Sequence, residues 1–152
     1  MKIITDTAEL ERSIGGIIAT SPWMTIDQSR IQAFADATDD HQWIHIDEAR
    51  AKAESPFGAT IAHGFLTLSL IPKLAAMSYR LEGFSSRVNY GLNSARFLHP
   101  VVAGGRIRAR FSPQSITEKD SGRILVAMTV TIDIENIDTP ACIAQSLVLL
   151  IP

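Results

Sequence analysis

Seven residues, Asp39-Asp40-His41-Gln42-Trp43-Ile44-His45, gather four ionisable side chains shortly before a stretch, Ser55 to Pro72, whose only titratable residue is His63. Asp40 and His45 stand five apart in it. A carboxylate and an imidazole that converge on an apolar cleft can divide general acid–base work. The imidazole titrates near neutrality unaided, and the carboxylate orients it or holds a water. The same spacing also describes a solvated loop whose aspartates cap a helix end, and spacing alone favours that plainer use. Ala62-His63-Gly64-Phe65 reads as a helix start. The first amides of a helix lack partners and carry positive dipole character, and Gly64 has no side chain to block approach. Its N–H can serve a developing oxyanion; close helix–sheet packing is the other use of a glycine there. His63 reads as a hydrogen-bonded structural histidine.

Other chemistries fit less well. His41 and His45, with Asp40, Asp47 and His63, invite a zinc reading, but His41-Gln42-Trp43-Ile44-His45 lacks the metalloprotease glutamate and lies in a loop. No metal and no cofactor are expected. There is no Gly-x-Ser-x-Gly, and Cys142 falls in a predicted buried strand. No Gly-x-Gly-x-x-Gly or phosphate loop supports nucleotide-dependent transfer.

The elements that must position these residues follow from periodicity. Asp6-Thr7-Ala8-Glu9 has cap spacing for a short helix ending at Gly15-Gly16, and 16–25 is extended with a bend at Pro22. Thr25-Ile26-Asp27-Gln28 has the capping-box pattern, and Ile31, Phe34, Ala35 and Thr38 make 26–38 an amphipathic helix. Asp39 to His45 is a loop, and 47–54 a short solvated helix. A central hydrophobic helix runs from Ala62 to Tyr79 and kinks at Pro72. The period then changes to two. Val88–Phe97, 106–111, 124–134 and Ala141–Ile151 read as strands, with Pro113 at a bulge or edge. Strands that cover one buried helix curl about it, so the class is α+β, in one domain spanning 1–152. The curled sheet keeps edges that a second copy can protect, and a homodimer is expected.

Composition agrees. The 152 residues are 46% hydrophobic and 20% charged, which suits one compact domain and excludes a disordered chain. A net charge of −2 leaves no basic surplus for nucleic acid, and the densest cations, Arg106, Arg108 and Arg110, alternate with apolar residues. A single cysteine excludes an intrachain disulfide. The polar start argues against a secretory signal, and His63, Gly64, Pro72 and Lys73 interrupt the one long apolar run, so a cytoplasmic protein with no membrane partner is expected.

Thr38-Asp39-Asp40-His41-Gln42-Trp43-Ile44-His45-Ile46-Asp47 and Ser55-Pro56-Phe57-Gly58-Ala59-Thr60-Ile61-Ala62-His63-Gly64-Phe65-Leu66-Thr67-Leu68-Ser69-Leu70 resemble the MaoC-like, R-specific enoyl-CoA hydratases, and within them the nodulation protein N subgroup. Asn89-Tyr90-Gly91-Leu92-Asn93 and Arg96-Phe97-Leu98-His99-Pro100-Val101 extend the resemblance over about residues 25 to 112. The resemblance implies a dimeric hot-dog fold with an acyl-CoA thioester bound along the central helix. The family's catalytic aspartate and histidine fall on Asp40 and His45, and its oxyanion-hole glycine on Gly64. Ile61, His63, Ser69 and Asn93 are the expected substrate-binding residues. Asp39 replaces a glycine common in the family and changes the charge and geometry of the loop. Gln42-Trp43 stands where Asn-Pro is frequent.

The implied reaction, one of fatty acid metabolism, is reversible addition of water to a trans-2-enoyl-CoA, giving the (R)-3-hydroxyacyl product. The alternatives are a hot-dog acyl-CoA thioesterase, in which the same pair directs water at the carbonyl, and a non-catalytic acyl-thioester-binding subunit. Arg80, Arg87 and Arg106 are the candidates for the phosphates of the coenzyme.

Overall fold

The computed structural model describes residues 1–152. A short strand β1 (Lys2–Ile4) leads into α1 (Thr7–Arg12), where the Asp6 carboxylate accepts the Glu9 N–H at 2.8 Å, the cap its spacing implied. Two brief strands flank the bend at Pro22, β2 (Ala19–Thr20) and β3 (Met24–Thr25). A helical segment follows: α2 (Gln28–Thr38), α3 (Trp43–Ile46) and α4 (Glu48–Glu54). The central helix comes next as α5 (Gly64–Ser69) and α6 (Ile71–Ser78), and then β4 (Tyr79–Leu81) and β5 (Ser86–Phe97). The chain closes with the long strands β6 (Arg106–Glu118), β7 (Ile124–Ile134) and β8 (Ile137–Ile151).

The main sheet is antiparallel in the order β2-β6-β7-β8-β5, with β3 also on β6, while β1 and β4 form a separate parallel pair. This is the α+β hot-dog arrangement, with the central helix packed against β6 and β8. Strand alternation builds the core as its period of two requires. Val126, Met128, Val130, Ile132 and Ile134 of β7 are buried, and Ile107, Ala109 and Phe111 of β6 face the same interior. Pro113 does sit at a register shift in β6, where its missing N–H breaks no ladder bond.

The arginines that alternate along β6 are neutralised across the strand. Asp133 accepts two bonds from Arg110 at 2.8 Å and one from Arg108 at 3.4 Å, and Glu135 pairs with Arg106 at 2.7 Å. Arg106 is therefore committed to an acid rather than waiting for a phosphate.

Several features differ from the sequence reading: β5 begins at Ser86 rather than Val88, β6 runs on to Glu118 rather than 111, and β8 begins at Ile137 rather than Ala141. The central helix is two helices, broken at Leu70, with Pro72 in the first turn of α6. Proline there removes no bond that a helix start would make, so the chain restarts instead of bending. Nor is that helix buried all round: Leu66, Thr67, Leu74 and Ser78 are buried, whereas Phe65, Pro72 and Lys73 are exposed. The cap of α2 is Asp27, which accepts the Arg30 N–H at 2.9 Å, not Thr25. No helix is long and apolar enough to cross a membrane.

Candidate active site

The site is made by the turn that ends α2. Asp39 closes that helix in the left-handed conformation, with φ 56° and ψ 21°. A glycine takes this conformation without strain, and aspartate is among the few other residues that tolerate it. The chain then turns through Asp40 into α3, a single helical turn that carries His45. The stretch from Asp39 to His45 is thus not all loop. Its second half is helical, with the His45 N–H on the Gln42 carbonyl at 2.9 Å and the Asp47 N–H on that of Trp43 at 3.0 Å. The Arg50 guanidinium lies 4.3 Å over the Trp43 ring and holds the outer side of the turn.

Backbone bonds tie this turn to the start of the central helix. The Ile61 N–H donates to the Ile44 carbonyl at 3.0 Å, and the Ala62 N–H to that of Val101 at 2.8 Å. One side chain that the sequence reading assigned to helix capping, Gln28, spans the junction. Its amide donates to the His45 carbonyl at 2.7 Å and accepts from the buried Thr60 hydroxyl. The signal was present, a polar side chain on the first turn of an amphipathic helix, but it matched a cap pattern equally well.

His45 is buried, and its Nδ1 lies 2.7 Å from the Ile61 carbonyl oxygen. A carbonyl only accepts, so Nδ1 carries the proton and Nε2 keeps a free lone pair. Burial pushes the His45 pKa below its ordinary 6.5, and neighbouring His63 adds to the shift, against the Ile61 bond and the Asp40 charge. The ring is neutral at neutral pH. It stacks on His63 with centroids 3.7 Å apart and planes 25° from parallel. His63 is buried too, its ring backed by Phe34 at 5.0 Å. By the same argument its Nε2 donates to the Asp40 backbone carbonyl at 3.0 Å, leaving Nδ1 buried without a partner.

The Asp40 carboxylate stays 55% exposed, 4.0 Å from His63 Nε2. Asp40, His45 and His63 each place a polar atom within 4.8 Å of the others. The Nδ1 of His45 and Nε2 of His63 already donate to carbonyls, which leaves Nε2 of His45 and Nδ1 of His63 as the imidazole lone pairs beside the Asp40 carboxylate.

A cavity of about 290 Å³ opens beside His45, and Asp40 is not among its walls. His45, Ile61, Gly64, Thr67, Phe97 and Val101 are among its walls. Gly64 is the first residue of α5, so its N–H has no partner within the helix. A Cβ at Gly64 would stand 2.9–3.1 Å from the Phe97 ring. The packing use of this glycine is therefore met under β5, and its amide has no partner within the helix. Phe97 was missed because an aromatic on a strand gives no sign of which helix residue it will cover.

The other sequence-named residues disperse. Ile61 lines the cavity and supplies the carbonyl that fixes His45. His63 stands behind His45 rather than in the cavity wall. Ser69 borders a neighbouring cavity of about 350 Å³. Asn93 is exposed at a register shift in β5, outside the walls of both. Cys142 is buried in β8, and burial pushes its thiol pKa up, away from nucleophilic use.

Comparison with known proteins bears on all of this. Residues 9–136 match the family described as the MaoC like domain. The chain is 43% identical over 148 residues to 3-hydroxyacyl-thioester dehydratase Z of Mycobacterium tuberculosis, covering 97% of each. It is 43% identical over 142 residues to Nodulation protein N of Rhizobium leguminosarum bv. viciae, covering 91% of this chain and 86% of that protein. Among solved structures, an (R)-hydratase from A. caviae involved in PHA biosynthesis superposes with a TM-score of 0.70 at 21% identity, over 90% of this chain and 96% of that one.

Proposed function

The chain belongs to the MaoC-like domain family, and on that premise we propose that it is a hydro-lyase of acyl thioesters, adding water reversibly to a trans-2-enoyl thioester to give the (R)-3-hydroxyacyl product. The observation that carries this reading is a neutral His45, locked by the Ile61 carbonyl beside Asp40, at a cavity bordered by the free Gly64 amide.

In this reading one water bridges Asp40 and His45, whose polar atoms lie within 4.8 Å of each other, a reach that one bridging water spans. As the water oxygen bonds to C3, its proton passes to Nε2 of His45. The C2=C3 electron pair shifts toward the thioester, giving enolate character at the carbonyl oxygen. The Gly64 N–H donates to that oxygen. The Asp40–His45 pair then returns a proton to C2 from the face that received the hydroxyl, which makes the addition syn. Dehydration is the same path reversed. A positioned acid–base group is worth about 10²–10⁴-fold, and an oxyanion donor roughly 3–4 kcal/mol.

A homodimer belongs to the same reading. β5 is exposed along its whole length, with Val88 43%, Tyr90 61% and Leu92 45% exposed. An edge strand that displays apolar side chains is a pairing surface, and a second copy laid along it would cover them. Sedimentation is expected to give twice the mass of the 16.6 kDa chain; a monomer at micromolar concentration would refute the dimer.

The test of activity is a hydration assay with crotonyl-CoA, following enoyl absorbance. Absorbance should fall without release of free thiol, and the product should be the R enantiomer. Thiol release would make the protein a thioesterase, and tight binding without turnover would make it an acyl-binding subunit.

A further inference from the structure

Beneath α6, against the inner face of the sheet, lies a second cavity of about 210 Å³. Its floor is apolar, formed by Phe111, Val126, Met128, Val130 and Leu150. The rest of its wall is not. Tyr79, Arg87, Asn89 and Ser146 border the same space, and no hydrogen bond or ion pair within the chain engages any of these side chains. Tyr79 and Ser146 are only 7% and 9% exposed. Neither hydroxyl oxygen is sealed from the cavity, so both keep their bonding capacity for whatever fills it, and an apolar filler that shut out water would cost each its desolvation. The Tyr79 ring meets Phe111 edge-on with centroids 5.3 Å apart. Burial also pushes the phenol pKa up, against the Arg87 charge, so it stays a protonated donor.

The placement matters as much as the chemistry. The cavity runs beside Ile71 to Tyr79, about two to four helical turns beyond Gly64. It shares Ile71, Pro72, Asn89 and Ser146 with the neighbouring cavity that reaches back to Leu68 and Ser69. A plain hydrocarbon end would satisfy the floor and leave the hydroxyls dry and unpaired. A guanidinium, an amide and two hydroxyls are instead matched by an oxygen acceptor. We propose that this cavity receives the far end of the acyl chain and selects chains that carry an oxygen there, as a hydroxyl, oxo or carboxylate group, over chains ending in methyl.

The proposal rests on the acyl-thioester reading above. Its test uses trans-2-enoyl-CoA substrates of matched length ending in methyl, hydroxyl or carboxylate. The kcat/KM of the oxygenated substrates should exceed that of the methyl-ended one by about tenfold or more. Tyr79→Phe, which keeps the ring on Phe111, and Ser146→Ala should each pull that ratio toward one. Arg87→Gln should reduce the preference for carboxylate alone. Equal or better turnover of the methyl-ended substrate, or a ratio that survives in Tyr79→Phe and Ser146→Ala, overturns the proposal. Calorimetry with the saturated acyl-CoA counterparts separates the two claims. If no enoyl thioester turns over, the hydratase reading falls, while equal affinity for methyl and oxygenated ends still refutes the selective cavity.

Discussion

The two cavities along the central helix treat their polar groups in opposite ways. Near Gly64 the groups are tethered to backbone: His45 Nδ1 to the Ile61 carbonyl, the His45 carbonyl to Gln28, His63 Nε2 to the Asp40 carbonyl. Near Tyr79 the polar side chains are tied to nothing in the chain. A tethered group keeps its tautomer and direction and needs no reorganisation when charge develops, which is what proton transfer requires. An untethered donor in an apolar recess has its capacity left for a ligand. In the proposed reading one end serves the chemistry and the other selects the chain end.

Substitutions at the tethered end should be the most damaging. Asp40→Asn and His45→Ala are each expected to lower turnover at least about 100-fold, with the circular dichroism of the folded chain preserved. Near-normal crotonyl-CoA hydration by either variant would remove that residue from the chemistry. Gly64→Ala comes next. Its new methyl meets the Phe97 ring at 2.9–3.1 Å, so crowding should cost about 1–3 kcal/mol of stability. Adding Phe97→Ala should relieve the stability loss, and a double variant as unstable as Gly64→Ala would show that the ring is not the cause.

Gln28→Leu tests the tether itself. It removes the donor to the His45 carbonyl and the partner of Thr60. Stability should fall by about 1–3 kcal/mol, since Thr60 is left buried and unpaired. Turnover should fall as well, whereas a loss of stability alone would make Gln28 a packing residue only. Ser146→Ala, at the untethered end, should change stability by less than Gln28→Leu, because its hydroxyl has no bond within the chain to lose.

The pH dependence sharpens the contrast further. In the proposed mechanism the working form of His45 is neutral, and its folded pKa is depressed below 6.5. Turnover governed by this group should therefore be level above pH 6.5 and fall only below it, as the ring gains a proton. The unfolded chain takes up that proton first. The stability linked to His45 is thus whole above 6.5 and declines as pH falls from there through the depressed folded value. Denaturant titrations of the wild type and His45→Gln should show a smaller loss in the variant between neutral and acidic pH, and parallel losses would refute the linkage.

Much of this was legible in the residues. Strands β6 and β7 announced themselves by period, because each has one face in the core and one outside, and β8 by a nearly continuous apolar run. Asp40, His45 and Gly64 stood out as the types that acid–base and oxyanion chemistry need, and the family resemblance singled them out. What the spacing could not reveal was long-range. The carbonyl of Ile61 as the His45 anchor, the Gln28 bridge and the Phe97 ring over Gly64 all join residues distant in the chain. Helix α3 was hidden because four residues are too few for periodicity to register. The break at Leu70 was displaced from Pro72 because a proline early in a helix costs nothing.

Asp39 carries a last consequence. It sits one residue before Asp40 with φ 56°, so the aim of the carboxylate hangs on a mirror-handed joint. A valine or isoleucine there would fight that joint and swing its neighbour off target. A glycine would take the same joint without strain and remove the second carboxylate. In the proposed reading position 39 is thus a tuning screw for Asp40, adjustable without touching any group assigned to the substrate.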